Sequence, residues 1–194
     1  MLKRLFDIGF SLFALTFSFP IIIVTALLIK IEDFTEHIFF LQTRVGKDRI
    51  PFKIIKFRTM SSRIVHEKEI TVDGDPRITK VGKWVRKLKF DELPQFINVF
   101  FGDMSIVGPR PHPIKLNKEY SNKILMFNKR HRYKPGITGL SQVSGYSGFI
   151  SSLNDMNKRV KTDIFYFKNW SFLLDLKIIF KTFLILVKGV LKLN

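Results

Sequence analysis

Cysteine is absent from the sequence, and histidine occurs only four times, at positions 37, 66, 112 and 131. The first absence excludes a disulfide-stapled scaffold, a thiol nucleophile and thiolate-held zinc. The scatter of the histidines argues against a His-rich metal site. Acidic residues are scarce: 16 Asp and Glu face 33 Lys and Arg in 194 residues, a net charge of +17. Such a chain suits an anionic partner, whether nucleic acid, an anionic membrane face or a phosphorylated substrate. Apolar surface is abundant. Hydrophobic residues make up 46%, and 21 Phe dominate the aromatics, which excludes intrinsic disorder. The length allows one domain, with room for an anchor.

Asp7 and Lys30 bracket 22 uncharged residues, Ile8 to Ile29. That is enough to cross a bilayer. No small-residue cleavage site follows, so the segment is expected to stay on the chain. Pro20, near its middle, removes a helical hydrogen bond and clashes with the preceding turn. Ser18 stands close by, placed to bond a carbonyl freed at the break. Lys3 and Arg4 favour a cytoplasmic start, and residues 31–194 carry a further +15 that the positive-inside preference also keeps in. A helix-break-helix over residues 1–30, broken at Ser18 and Pro20 and returning to the same face, satisfies both ends. A single kinked spanning helix is the alternative.

Residues 172–193 read as an amphipathic helix. Lys177, Lys181, Lys188 and Lys192 fall within an arc of roughly 60° at 100° per residue, and the rest is nearly all Leu, Ile, Val and Phe. Snorkelling lysines on an apolar helix suit the headgroup layer; a core-packing helix with a solvated lysine face is the alternative. Between the two ends, residues 38–60 carry a hairpin signal around Gly46-Lys47-Asp48-Arg49. Asp73-Gly74-Asp75-Pro76 reads as a turn rather than a calcium loop. A basic helix is expected over 79–89 with Trp84, Val85 and Leu88 inward, and a second over 91–101 with Pro94 in its first turn. Residues 114–131 read as helical, and 135–148, with four glycines and no acid, as loop. The fold class is therefore α+β: one mostly helical domain with a small β-hairpin, a re-entrant N-terminal membrane helix and amphipathic interfacial helices.

Three places could carry chemistry. Asp91 and Glu92 are adjacent carboxylates at an expected helix start among Lys83, Arg86, Lys87 and Lys89. That setting predicts depressed pKa values. An ionised carboxylate there can attack phosphorus or hold Mg²⁺; a simple N-cap is the structural alternative. Pro109 and Pro111 fix the backbone around Arg110, whose planar guanidinium suits phosphate. Lys53, Lys56 and Arg58 lie on an expected strand, either cradling a diphosphate or facing solvent.

Together these segments resemble the bacterial sugar transferase family, specifically its small monotopic polyprenyl-phosphate phosphoglycosyl transferases. The matching stretches include Lys3-Arg4-Leu5-Phe6-Asp7, Gln42-Thr43-Arg44-Val45-Gly46, Phe52 to Met60, Asp75-Pro76-Arg77 and Asp91-Glu92-Leu93-Pro94-Gln95 to Asn98-Val99. They continue with Gly102-Asp103-Met104-Ser105, Val107 to Pro111, Lys134 to Gly139, Gln142-Val143 and Asp163-Ile164-Phe165-Tyr166. The resemblance covers nearly the whole chain. It departs at Ser18-Phe19-Pro20, where Ser is displaced by one from the family's Ser-Pro break, and at Tyr146, where members often carry Arg.

The resemblance implies transfer of a sugar-1-phosphate from a UDP-sugar to a polyprenyl (undecaprenyl) phosphate, with UMP released and Mg²⁺ required. Asp91 would be the nucleophile, forming a phosphosugar-aspartyl intermediate. Glu92 would assist as metal partner or proton handler. Arg86, Arg110 with Pro109, and more weakly Lys56 and Arg58 would meet phosphates or nucleotide, and Asp163 lies in a family motif near the site. The expected setting is the cytosolic face of a bacterial inner membrane, in contact with lipids and not with nucleic acid. Two other readings compete: a membrane-tethered basic nucleic-acid binder, and an inactive scaffold of the same fold.

Overall fold

A computed structural model describes residues 1–63, 75–146 and 152–191. Asp73, Gly74, Gly148 and Lys192 lie outside the described residues. The structure is mostly helical with a small amount of sheet, as expected. Helix α1 (Leu2–Glu32) leads into an antiparallel hairpin of β1 (Phe39–Val45) and β2 (Pro51–Phe57). Then come α2 (Lys80–Lys87), α3 (Gln95–Phe101), β3 (Ser105–Val107), α4 (Ile114–Lys123), β4 (Gly136–Thr138), α5 (Leu153–Lys168) and α6 (Phe172–Leu191). The main core gathers Ile54 of β2, Val99 of α3, Ile106 and Val107 of β3, Tyr166 of α5 and Ile178 of α6.

Helix α1 is built inside out. Its buried positions are Asp7, Ser11, Ser18, Thr25 and Ile29, a stripe at helical spacing and mostly polar. Its outer face exposes Leu12, Phe13, Phe17, Phe19, Val24, Leu27 and Leu28. A water-facing helix shows the opposite pattern. Within the described residues it is the one helix long and apolar enough to cross a membrane. The assignment is continuous through Pro20, with no break at Ser18. The Ser18 hydroxyl donates to the Ala14 carbonyl at 2.6 Å, two residues before the Thr16 carbonyl that Pro20 leaves without its helical donor.

Both ends of α1 are held by the rest of the chain. At the start, Arg4 donates to the carbonyls of Val99 and Phe100, each at 2.6 Å, capping the C-terminal end of α3. Asp7 accepts from the Ser105 hydroxyl at 3.0 Å and the Ile106 N–H at 2.9 Å. Lys3 pairs with the buried Asp175 of α6 at 2.6 Å. At the far end, Ile29 packs with Phe57 and Val85, and Arg58 donates to the Ile29 carbonyl at 3.3 Å.

Several local expectations are corrected. Trp84 points outward at 63% exposure, while Val85 is buried; α2 packs on α1 through Val81 and Val85, and Trp84 lies on its flank. Residues 91–101 are not one helix. A 3₁₀ turn spans Phe90–Glu92, and Pro94 is the N-cap of α3 rather than in its first turn. The buried face of α3 is Gln95, Asn98 and Val99, because Asn98 has backbone to satisfy. The 114–131 helix stops at Lys123, and a 3₁₀ segment covers Phe127–Arg132. The 135–148 loop contains β4, which pairs in parallel with β3, and a π-helical turn at Gln142–Tyr146. That pairing brings two glycines into backbone contact: a Cβ on Gly136 would lie 2.1 Å from the Gly108 nitrogen.

Asp7 is the pivot of the α1 docking. Replacing it with Ala strands a buried N–H and a buried hydroxyl. We expect Asp7→Ala to cost about 1–3 kcal/mol, read as a lowered thermal midpoint of the purified protein in nanodiscs, with Asp7→Asn closer to wild type.

Candidate active site

The chain reaches the site through a strained turn. Lys89 adopts φ 60°, ψ 19°, a left-handed conformation uncommon for a side chain of this kind. It swings Asp91 and Glu92 beside the end of β2. Strand β2 is held there by Asn98 of α3. Its side-chain oxygen accepts from the Ile55 N–H at 3.0 Å, and its amide donates to the Lys53 carbonyl at 2.8 Å. Lys56 is thereby set against the acidic pair.

Glu92 takes the cations. Its Oε1 receives Lys56 Nζ at 2.7 Å and Arg110 Nη2 at 2.7 Å. Lys56 lies 4.0 Å from Asp91. Burial works against ionised Glu92, but the charges of Arg110 and Lys56 overcome it and hold its carboxyl well below the usual carboxylate range. Asp91 moves the other way. Burial pushes its pKa up, the adjacent Glu92 charge pushes it further, and Lys56, Lys89 and Arg86 only partly oppose. The expectation of a depressed pKa is therefore corrected for Asp91 and holds for Glu92. The reason is partner allocation: the two nearest cations are bonded to Glu92.

The Pro109-Arg110-Pro111 loop is clamped on all three carbonyls. Pro109 O accepts from Gly136 N at 3.0 Å. Arg110 O accepts from Arg130 Nη2 at 3.0 Å. Pro111 O accepts from Arg44 Nη1 at 3.1 Å. The donors come from β4, the 3₁₀ segment and β1. Arg44 is buried beside Arg110, and burial first, then the Arg110 charge, lowers its pKa to about 10.

The structure thus brings together Asp91, Glu92, Lys56 and Arg110, with the clamped Pro109 behind. Arg86 borders the group, its Nε donating to Thr59 Oγ1 at 2.9 Å. Two residues sit elsewhere. Arg58 pairs with Glu36 at 3.4 Å and bonds the end of α1. Asp163 is buried on α5, pairing with Arg130 at 2.8 Å and accepting from Ser141 at 2.7 Å. It reaches the site only through Arg130 and the Arg110 carbonyl. Sequence reading did not single out Arg44, Asn98 or Arg130. Arg44 and Asn98 fall inside the matching stretches, whereas Arg130 is hidden in the basic run Lys129 to Arg132.

The acidic pair could hold Mg²⁺ through Asp91. No cluster of three or more His, Asp or Glu suited to a metal occurs among the described residues, and Glu92 Oε1 already has two cationic partners. Asp91 would be the protein ligand. Mg²⁺ accepts such a site, keeping water and substrate phosphates in its other positions.

A conserved-family profile described as bacterial sugar transferase matches residues 1–189. The chain belongs to the bacterial sugar transferase family. It is 45% identical to a UDP-glucose:undecaprenyl-phosphate glucose-1-phosphate transferase of Klebsiella pneumoniae, over 93% of this chain and 39% of that protein. It is 40% identical to a UDP-N-acetylgalactosamine-undecaprenyl-phosphate N-acetylgalactosaminephosphotransferase of Aeromonas hydrophila, over 97% of this chain and 44% of that protein. With the exopolysaccharide production protein PSS of Rhizobium leguminosarum bv. phaseoli it shares 40% identity, over 94% and 93% of the two chains. The chain therefore spans well under half the length of the first two relatives.

Breaking the buried Asp163–Arg130 pair leaves one charge without its partner. Asp163→Asn is expected to destabilise the protein by about 3–5 kcal/mol in thermal unfolding. The double variant Asp163→Asn, Arg130→Met should recover part of the loss.

Proposed function

We propose that this chain transfers a sugar-1-phosphate from a UDP-sugar to a polyprenyl phosphate and releases UMP. The observation that carries the reading is the unequal treatment of two neighbouring carboxylates. Glu92 is neutralised by Lys56 and Arg110, each at 2.7 Å, while Asp91 keeps a raised pKa and only a longer pair, 4.0 Å, to Lys56. Such a carboxylate is the more basic of the two once ionised, and so the better nucleophile.

In the first half-reaction an Asp91 carboxylate oxygen attacks the phosphorus that carries the sugar. The phosphoanhydride bond breaks, and UMP departs with the electron pair. In the second, a phosphate oxygen of the polyprenyl acceptor attacks the same phosphorus, and the Asp91 carboxylate leaves. Lys56 and Arg110 meet the phosphate oxygens, with Arg86 at the border, and Glu92 holds both cations in place when no phosphate is bound. Bound Mg²⁺ would neutralise diphosphate charge so that an anionic nucleophile can approach.

The membrane setting follows from α1. Its outer face is apolar, its inner face is polar, and Arg4 at one end and Ile29 at the other contact the same domain. A straight helix of 31 residues is about 46 Å long, and a domain outside the hydrocarbon layer cannot reach both ends of a spanning one. This supports a helix that enters and leaves by one face, with Ser18 and Pro20 at its deepest point. The proposed location is the cytosolic face of the inner membrane, with α6 lying in the headgroup layer. An acceptor dissolved in the bilayer then meets the site without leaving it.

The decisive test is UMP release by the protein in nanodiscs with Mg²⁺, a panel of UDP-sugars and undecaprenyl phosphate. We expect sustained, acceptor-dependent release with at least one sugar and none from Asp91→Asn. Turnover by Asp91→Asn at the wild-type rate would overturn the mechanism.

The acid limb of the pH–rate profile reports ionisation of Asp91, so activity rises with pH through a pKa above the ordinary aspartate value. Glu92→Gln removes the like charge that raises it and releases Lys56 and Arg110. The limb should therefore move to lower pH, whereas Lys56→Met should move it to higher pH.

A further inference from the structure

Helix α2 presents a face that the reaction does not use. At 100° per residue, Lys80, Lys83 and Lys87 form one outward ridge, and all three are exposed. Trp84 flanks the ridge at 63% exposure, with Lys87 Nζ 5.2 Å from its ring centre. Arg86 lies on the opposite flank, 200° around from Trp84, bonded to Thr59 at the site border. No salt bridge involves Lys80, Lys83 or Lys87 among the described residues, so the ridge has no acidic partner there.

Position identifies the partner. The Val81 N–H donates to the Glu32 carboxylate at 3.1 Å, so α2 starts where α1 ends. Val81 and Val85 then pack against Ile22, Ala26 and Ile29 of α1. A helix seated on the last turns of a membrane-embedded helix lies at the level of the headgroups. An exposed indole beside lysines suits that layer, where amphipathic rings settle and anionic lipids attract cations.

We propose that the Lys80, Lys83, Lys87 and Trp84 face of α2 binds anionic phospholipid headgroups. This goes beyond the transferase reading and rests only on its membrane part. Since α2 carries Arg86 on its other side and leads through Lys89 to Asp91, docking of this face fixes the height of the active site against the lipid phosphate layer.

The test is Trp fluorescence in nanodiscs of phosphatidylcholine and phosphatidylglycerol, with one or the other lipid dibrominated at equal mole fraction. Subtracting the signal of Trp84→Phe isolates Trp84 from Trp170. We expect brominated phosphatidylglycerol to quench Trp84 about five-fold more effectively than brominated phosphatidylcholine, the attraction of about one lysine to an anionic surface. The triple variant Lys80→Gln, Lys83→Gln, Lys87→Gln should equalise the two lipids, and the corresponding triple Arg variant should keep the preference. Equal quenching in wild type, or a preference that survives the Gln variant, overturns the proposal. Quenching of Trp170 but not Trp84 overturns it while leaving the membrane reading intact. Quenching of neither overturns both.

Discussion

Two adjacent carboxylates in a partly buried recess cannot be solvated alike. The arrangement of the site follows from how the chain divides cations between them. Lys56 arrives from β2, held by Asn98. Arg110 arrives from a loop whose three successive carbonyls are tied to β1, β4 and the segment after α4. Both end on Glu92. With that, Asp91 is left facing a like charge in a desolvated place, and its proton affinity rises. A repulsion is retained where a simple N-cap would have relaxed it, and it sits next to cations able to receive phosphate. Weakly paired carboxylates with raised pKa values cost stability at neutral pH, and such costs gather at functional sites.

The same economy governs the outside of the molecule. Helix α1 turns most of its few polar side chains inward, Asp7 onto Ser105 and Ile106, and leaves Leu, Ile, Val and Phe outward. No aqueous surface rewards that choice. A lipid one does, because the apolar face needs no desolvation there while Asp7, Ser11 and Thr25 stay within the protein. The end of α6 repeats the pattern, with Phe180, Phe183, Leu184 and Ile185 exposed between lysines.

Much of this was legible in the residues, and the gaps have physical causes. The hairpin was readable because its turn and strand signals are local. Helix α1 was readable because its apolar run is long. Trp84 was misplaced because an apolar residue was assigned to the core, although burial of apolar groups is a one-way rule. Strands β3 and β4 are three residues each and pair across a long separation, so no periodicity announces them. The acidic pair, Arg110 and Lys56 stand out in the residues, and the structure places them together. Their division between Glu92 and Asp91 does not stand out, since it depends on Lys56 approaching from 35 positions earlier in the chain. Local charge counting saw only Lys83, Arg86, Lys87 and Lys89.

Site and membrane surface are joined by a short stretch of chain. From the end of α1, Glu32 receives α2, α2 carries Arg86, Lys89 turns the backbone, and Asp91 follows. Arg58 closes the loop by bonding the Ile29 carbonyl from the end of the strand that carries Lys56. Any tilt of α1 therefore moves both Asp91 and one of the cations that flank it. For the proposed reaction between a soluble nucleotide sugar and a lipid phosphate, that linkage matters more than the shape of the pocket. On that proposal the height of the lipid phosphate is set by the membrane, so the protein must set the height of Asp91 by the same reference, and a helix embedded in that membrane and bonded at both ends to the domain that carries the site would provide it.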